Sequence, residues 1–374
     1  METGSIIKES VAKETVILTR KVQLFIDCDD QEQRKLYYQR LYDMRDKVYK
    51  GANLVLSHQY LLDHLRMIPY LNETVKIKIA DASKDPDGIL STSKMNTTYR
   101  VLNAYYKGEL PWGVLAPLNQ QLFKLYRSES LAYSRGERSL RSYKKGMPIP
   151  ISVTNLKLSN AETGKDFKIK LLQIPFRTYL GKDRADKRVL LQQAVVGLIK
   201  VCHCALKLED GKLFLLLTLE IPKKELALKP HVIAEALLGI EYPLTVNVGR
   251  AQIQIGSREE FLYRRLAIQS ARQRLQKAAA FTEGGHGRKR KLKSLDHYKD
   301  KERNYVDSRL HLYSRMLIDF CVKHRAGTLL LVNQNAKEEV AKDDVFMLRN
   351  WGYYGLIEKI KYKAEMAGIN VIVE

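Results

Sequence analysis

The stretch Leu238-Gly239-Ile240-Glu241-Tyr242-Pro243-Leu244-Thr245-Val246-Asn247-Val248 reads as an apolar strand that carries one acid, Glu241. Farther along, Gly327-Thr328-Leu329-Leu330-Leu331-Val332-Asn333 reads as a second buried strand, and it ends in a valine and an amide with no acid. The spacing of apolar residues places the elements between and around them. Residues 233–255 read as strand, turn, strand, and 258–280 as a basic helix with Phe261, Leu262, Ile268, Leu275 and Ala279 on its apolar side. The run Gly284-Gly285-His286-Gly287-Arg288-Lys289-Arg290-Lys291-Leu292-Lys293 reads as a flexible basic loop. A long helix at about 296–325 follows, then strand 328–332, a polar loop 333–344, helix 346–367 and strand 369–373.

Toward the N-terminus, residues 14–26 read as a strand, with Val16, Leu18, Val22, Leu24 and Ile26 on one parity. Helical spacing then runs through Leu36, Leu41, Met44, Val48, Val55 and Leu62. A loop at 81–92 contains Asp85-Pro86-Asp87-Gly88, and two further helices are predicted at 92–107 and 111–133, Pro111 opening the second. The chain returns to β structure at Pro148-Ile149-Pro150-Ile151-Ser152-Val153. Phe167-Lys168-Ile169-Lys170-Leu171 alternates apolar and basic residues, and two apolar strands within 195–221 flank the hairpin turn Asp210-Gly211. The N-terminal strand finds no sheet partner in the helical insert, so it is expected to join the later strands in one barrel. The domains predicted are 1–29 and 146–230 (two parts of the barrel), 30–145 (the helical insert) and 231–374 (an α/β unit).

The 374 residues carry 64 Lys and Arg against 42 Asp and Glu, a net charge of +22 that points to a polyanionic partner. No apolar run approaches the roughly 20 residues of a membrane-spanning helix. Met1-Glu2-Thr3-Gly4-Ser5 lacks the pattern of a signal peptide, so a cytoplasmic, nucleoid-associated bacterial protein is expected. Cys28, Cys202, Cys204 and Cys321 are scattered and form no disulfide framework. Cys202-His203-Cys204 has no second ligand pair, and on a strand its histidine points away from the thiols. Phosphate loops, His-Glu-x-x-His and Gly-x-Ser-x-Gly are missing from the sequence.

Gly239-Ile240-Glu241, the basic helix, the Gly-Gly-His-Gly-Arg-Lys run, the Tyr-bearing helix and Gly327–Val332 follow one another in the order of a RuvC-like domain. Trp351-Gly352-Tyr353-Tyr354-Gly355-Leu356-Ile357-Glu358-Lys359-Ile360-Lys361-Tyr362-Lys363-Ala364-Glu365 matches its next helix. The chain thus resembles the TnpB nucleases of transposons and their relatives, the miniature type V-F CRISPR effectors. The resemblance covers 233–374 by motif and the rest by architecture. It implies a multidomain α+β and α/β protein: a wedge (OB-like) β-barrel split by a helical recognition insert, then a truncated RuvC domain of RNase H fold. The family has Asp where Glu241 stands and Glu where Val332 stands. It also has a four-cysteine zinc module and a third catalytic Asp beyond the equivalent of Glu374. The extra methylene of Glu moves a carboxylate by ~1 Å against the strict octahedron of magnesium. Val332 offers no oxygen, and two-metal cleavage needs ions about 4 Å apart on shared ligands. The expectation is a nuclease-dead protein with no catalytic magnesium and no cofactor besides a bound guide RNA.

The resemblance implies that base pairing to the guide reads the target, while the protein holds backbones and a short flanking motif. Asn96, Tyr99, Arg100 and Asn103, with Thr97, are candidates for reading that motif, a solvated helix face being the competing reading. Arg127, Arg135, Arg138, Arg141, Lys144 and Lys145 are candidates for phosphate contact, as are Arg264, Arg265, Arg272 and Arg274. Arg288, Lys289, Arg290, Lys291 and Lys293 are read in the same way, whereas Trp351, Tyr353 and Tyr354 read as packing residues. The partners expected are guide RNA, target double-stranded DNA, an extracytoplasmic-function sigma factor with RNA polymerase, and a second copy of the chain. The function expected is RNA-guided control of transcription without cleavage. The alternatives are a repressor that blocks polymerase and a nuclease that retains metal-dependent cutting.

Overall fold

The computed structural model describes residues 15–67, 93–161, 166–181, 186–209, 211–223, 226–239, 241–281, 285–332 and 353–374. The loop at 81–92 and the polar segment 333–344, with Asp343 and Asp344, lie outside these. Contacts divide the chain into two compact units, one of Ile17–Ile221 and the other of Pro222–Glu374 together with Thr15 and Val16.

The first unit holds β1 (Thr15–Ile26), β2 (Ile149–Ile151), β3 (Leu156–Asn160), β4 (Phe167–Leu171), β5 (Ile174–Tyr179), β6 (Lys200–Glu209) and β7 (Lys212–Pro222). Their order is β2-β6-β7-β1-β5-β4-β3, so the N-terminal strand is the central one. Its residues Val16, Leu18, Val22, Leu24 and Ile26 are all buried, the period-two pattern of a strand with one face on a core. The sheet curls into a half-barrel, and its edge strands β2 and β3 are not paired with each other. Glu209 pairs with Lys212 across the two-residue turn, where Gly211 takes φ +74°. β5 escaped the sequence reading because Pro175 interrupts it. Its missing N–H costs little, since Pro175 lies past the end of β1 and only its carbonyl is used, by the Asp27 N–H at 3.0 Å. A helix at Lys187–Val196 was also missed, and only its last two residues fall within the stretch read as strand. A register shift falls at Cys202, while Cys204 is buried with its thiol 3.3 Å from the Ile151 carbonyl.

Three helices form the insert: α1 (Gln31–Met67), α2 (Lys94–Tyr106) and α3 (Trp112–Ser134). Polar pins cross their packed faces. The Thr98 hydroxyl donates to Asn119 Oδ1 at 2.7 Å, and Asn119 Nδ2 donates to the Met95 carbonyl at 2.8 Å. The Tyr126 hydroxyl donates to Asp63 at 2.8 Å. The buried Glu129 accepts from Tyr133, from Arg138 at 2.7 Å and from the Arg141 guanidinium, whose Nε is also at 2.7 Å. These bonds fold the chain after α3 back onto the helix.

The second unit holds β8 (Lys229–Leu237), β9 (Leu244–Val248), β10 (Ala251–Ile255), β11 (Ala326–Leu331) and β12 (Asn370–Val373), ordered β10-β9-β8-β11-β12. β9 is antiparallel to β8 and β10, whereas β11 is parallel to β8 and β12. With the helix at Lys187–Val196 taken as α4, the helices here are α5 (Arg258–Ala280), α6 (Gly285–Lys323) and α7 (Tyr353–Ala367). Phe261, Leu317, Leu356 and Ile360 pack with Ala234, Ala236, Val246, Leu329 and Leu331 in one core.

Two expectations are corrected here. The stretch Leu238–Val248 is not one strand: β8 has ended by Leu237, and Glu241 lies in a bend before β9. The chain turns tightly enough that a Cβ on Gly239 would meet the Tyr242 carbonyl oxygen at 2.8 Å. The basic run 285–293 is not a loop but the first turns of α6. It contains no proline, and its lysines, arginines and leucine are good helix formers.

Hydrogen bonds from Arg141 hold the Glu129 carboxyl down at about 2, against the opposing effect of burial. A lowered pKa adds stability above the unfolded value, near 4.5, and that contribution is lost as pH falls toward 2. Glu129→Gln is expected to destabilise the protein by about 1–3 kcal/mol at neutral pH. Thermal melts of both proteins should converge as pH falls below 4.5.

Candidate nucleic-acid interface

The strands β1, β3, β4 and β5 contain no acidic residue. Their registers gather cations on the exposed face. Lys157 of β3 lies directly opposite Lys170 of β4, and Lys168 of β4 directly opposite Arg177 of β5. Like charges in such pairs destabilise a sheet by about 0.2–1 kcal/mol each. Next to Arg177 in register is Phe25 of β1, and Tyr179 lies opposite Gln23. Both aromatic rings face water, Phe25 at 42% and Tyr179 at 55% exposure, and they meet edge to face at 5.6 Å. A row of cations beside exposed rings is the chemistry that tracks a nucleic-acid backbone and stacks its bases. This face was missed in the sequence, although the apolar–basic alternation of Phe167–Leu171 was its signal.

The residues singled out from sequence have mixed fates. Asn96 and Arg100 are exposed on α2 with Asn103 and Tyr99 partly so, whereas Thr97 is buried, its hydroxyl donating to the Ser93 carbonyl at 3.1 Å. Arg138 and Arg141 are tied to Glu129, Lys145 lies 3.6 Å from Asp46, and Arg135 lies 3.7 Å from Glu137. Arg127 and Lys144 are exposed. On α5, Arg265 and Arg272 converge on Glu302 of α6 at 2.9 and 3.8 Å, which makes them a helix-to-helix clasp. Arg264 lies over the Tyr305 ring at 5.5 Å, and Arg274 Nε donates to the Ser270 carbonyl at 3.4 Å. Arg290 and Lys293 are exposed on α6, while the side chains of Arg288, Lys289 and Lys291 lie outside the described residues. Trp351 also lies outside them.

Val332 and Glu241, the positions where the resemblance implies acids, lie just after β11 and in the bend beyond β8. Val332 follows β11, its N–H donating to the Ala236 carbonyl of β8 at 3.1 Å, and its side chain carries no ligand atom. Glu241 is exposed in the bend beyond β8, its carbonyl accepting from the Arg258 N–H at 2.8 Å. Glu235 is the one acid within the strands of this sheet, in register with Asn247 and Leu330. Among the described residues no group of three or more His, Cys, Asp or Glu side chains is placed to hold a metal ion. Likewise, no described helix is long and apolar enough to cross a membrane.

No family profile matches the chain. It is 28% identical over 273 residues to the CRISPR-associated endodeoxyribonuclease Cas12f1 of Sulfoacidibacillus thermotolerans, across 67% of this chain and 62% of that protein. It is 29% identical over 204 residues to the Cas12f1 of Syntrophomonas palmitatica, across 53% of this chain and 39% of that one. The match therefore spans less than two thirds of either relative's length. In fold, the chain matches a Cas12f1-sgRNA-target DNA complex with a TM-score of 0.69 at 16% identity, over 96% of this chain and 89% of that one. In sequence the chain is similar to proteins named Cas12f1, and its fold is similar to that of a solved Cas12f1.

Proposed function

We propose that this chain holds a guide RNA, binds guide-matched double-stranded DNA, and controls transcription there without cutting it. The observation that carries the binding is the face of β3, β4 and β5, strands without an acid, where Lys157 opposes Lys170 and the exposed Phe25 and Tyr179 lie beside Arg177. A surface that pays in folding stability for adjacent cations is explained by a polyanion that neutralises them. The named relatives are endodeoxyribonucleases acting within CRISPR systems, and one solved relative is a complex with sgRNA and target DNA. Those chemistries supply the guide and the target of the proposal.

The non-cutting half rests on Val332, where the resemblance implies a glutamate, and on Glu241, where it implies an aspartate. A magnesium pair in such a site would polarise the scissile phosphate and generate the attacking hydroxide. A valine side chain cannot share in holding it. Regulation then follows from occupancy. Recruitment of an extracytoplasmic-function sigma factor with RNA polymerase is the reading favoured by the inactivated members that the chain resembles. Steric blocking of polymerase is the alternative.

Purification of the tagged protein from its native host tests the partners. A discrete guide RNA with a sigma factor and polymerase subunits is the expected eluate, and a guide without sigma factor would favour blocking. With guide and magnesium, a matched duplex should shift in a gel and stay intact, whereas cut product would refute the non-cutting assignment. Lys157→Ser with Lys170→Ser should flatten the dependence of log affinity on log salt by about 1–2. The same double variant should melt no lower than the parent, because a repulsive pair has been removed.

A further inference from the structure

A cavity of about 460 Å³ lies within the first unit, where the start of α3 meets the β3–β4 edge. Its volume falls in the range of small-molecule sites, roughly 300–1,000 Å³. Trp112, Arg40, Asn155, Lys157 and Lys170 line it, with the turn Leu172–Gln173 closing one side. Trp112 is 63% exposed, so it is not a core packing residue. Arg40, Lys157 and Lys170 are exposed and have no carboxylate partner among the described residues. Asn155 fits closely over the helix start: its Nδ2 lies 1.6 Å from where a Cβ on Gly113 would stand, so only glycine suits that position. Leu172 and Gln173 take φ +51° and +69°, a left-handed turn built without the usual Asn or Gly. Such residues cost about 1–2 kcal/mol each, and strain of this kind gathers where a binding surface is shaped.

We infer that this cavity takes one unpaired nucleotide, its base stacked on Trp112 and its phosphates on Arg40, Lys157 and Lys170. An apolar ligand would leave three cations buried without a counter-charge, and an acidic peptide would leave the indole face unused. A nucleotide satisfies both, and the Asn155 amide offers a donor and an acceptor to a base edge. Lys157 and Lys170 belong also to the basic sheet face, so a strand running along that face reaches the cavity without a break. The inference deepens the nucleic-acid-binding reading above and rests on it.

The chain has two tryptophans, Trp112 and Trp351, so Trp351→Phe leaves Trp112 as the single indole reporter. The full chain with that change is titrated with a short single-stranded RNA, the same sequence as DNA, and a blunt duplex. Single strands are expected to quench the fluorescence saturably and the duplex is not. Trp112→Ala should weaken single-strand binding about 10- to 100-fold. It should leave duplex binding unchanged, which also shows that the variant is folded, and Trp112→Phe should keep most of the affinity. Quenching by RNA alone assigns the nucleotide to the guide, quenching by DNA alone to the target, and either supports the site. Single strands that bind without quenching, or bind Trp112→Ala as tightly as the parent, would overturn the pocket and leave the wider reading standing. A protein that binds no nucleic acid in any form would overturn both.

Discussion

The pairing of β1 with β5 is the contact on which the first unit depends. β1 ends at Ile26, its partner residues lie at Phe176–Tyr179, and the helical insert separates them in the chain. β1 joins the strands β2, β6 and β7 to β5, β4 and β3, so without it the sheet falls into two pieces. The buried parity of β1, from Val16 to Ile26, contributes about 1.5–3 kcal/mol for each large side chain, which offsets the entropy of closing so long a loop. The same strand sets the binding face. By burying one parity it turns Phe25 outward beside Arg177, and the registers of β5, β4 and β3 then fix where each further cation stands.

Several local features of this unit run against stability, and they cluster. Two directly opposed cation pairs, a left-handed turn at Leu172–Gln173 and a water-exposed indole all lie along the β3–β5 edge or the cavity beside it. Cations elsewhere behave differently. Arg138 and Arg141 fold onto Glu129 and hold the chain after α3 to that helix, and Arg265 and Arg272 clasp α5 to α6 through Glu302. Some of the cations behind the net charge of +22 are thus satisfied within the fold, and a second group, Lys157 and Lys170, face each other with no carboxylate partner among the described residues. The second group marks the polyanion surface.

Much of the fold was legible because periodicity was strong. β1, α1, the α2–α3 pair, the Asp-Gly hairpin and α5 all lie close to where apolar spacing put them. β5 was lost to Pro175, whose harmless place at the end of β1 depends on register and not on composition. The basic run at 285–293 read as a loop because charge was weighed above helix propensity. Glu241 read as a strand residue because the turn at Gly239 is set by backbone approach, which apolar content does not reveal. The binding site was less legible than the fold. Arginine-rich stretches drew attention, but whether an arginine is available depends on a carboxylate distant in sequence, as Glu302 is from Arg265. The opposed lysines were visible singly and became a site only when β3 paired with β4 in register.

The most direct test of the sheet face as the nucleic-acid surface is lysine acylation footprinting of the intact protein, read by peptide mass spectrometry before and after ribonuclease treatment. Lys157 and Lys170 are predicted to be shielded while RNA is bound and to become reactive once it is digested, with the exposed Lys361 of α7 as an internal reference. Equal reactivity of Lys157 and Lys170 in the two states, with RNA demonstrably bound in the first, would contradict the account.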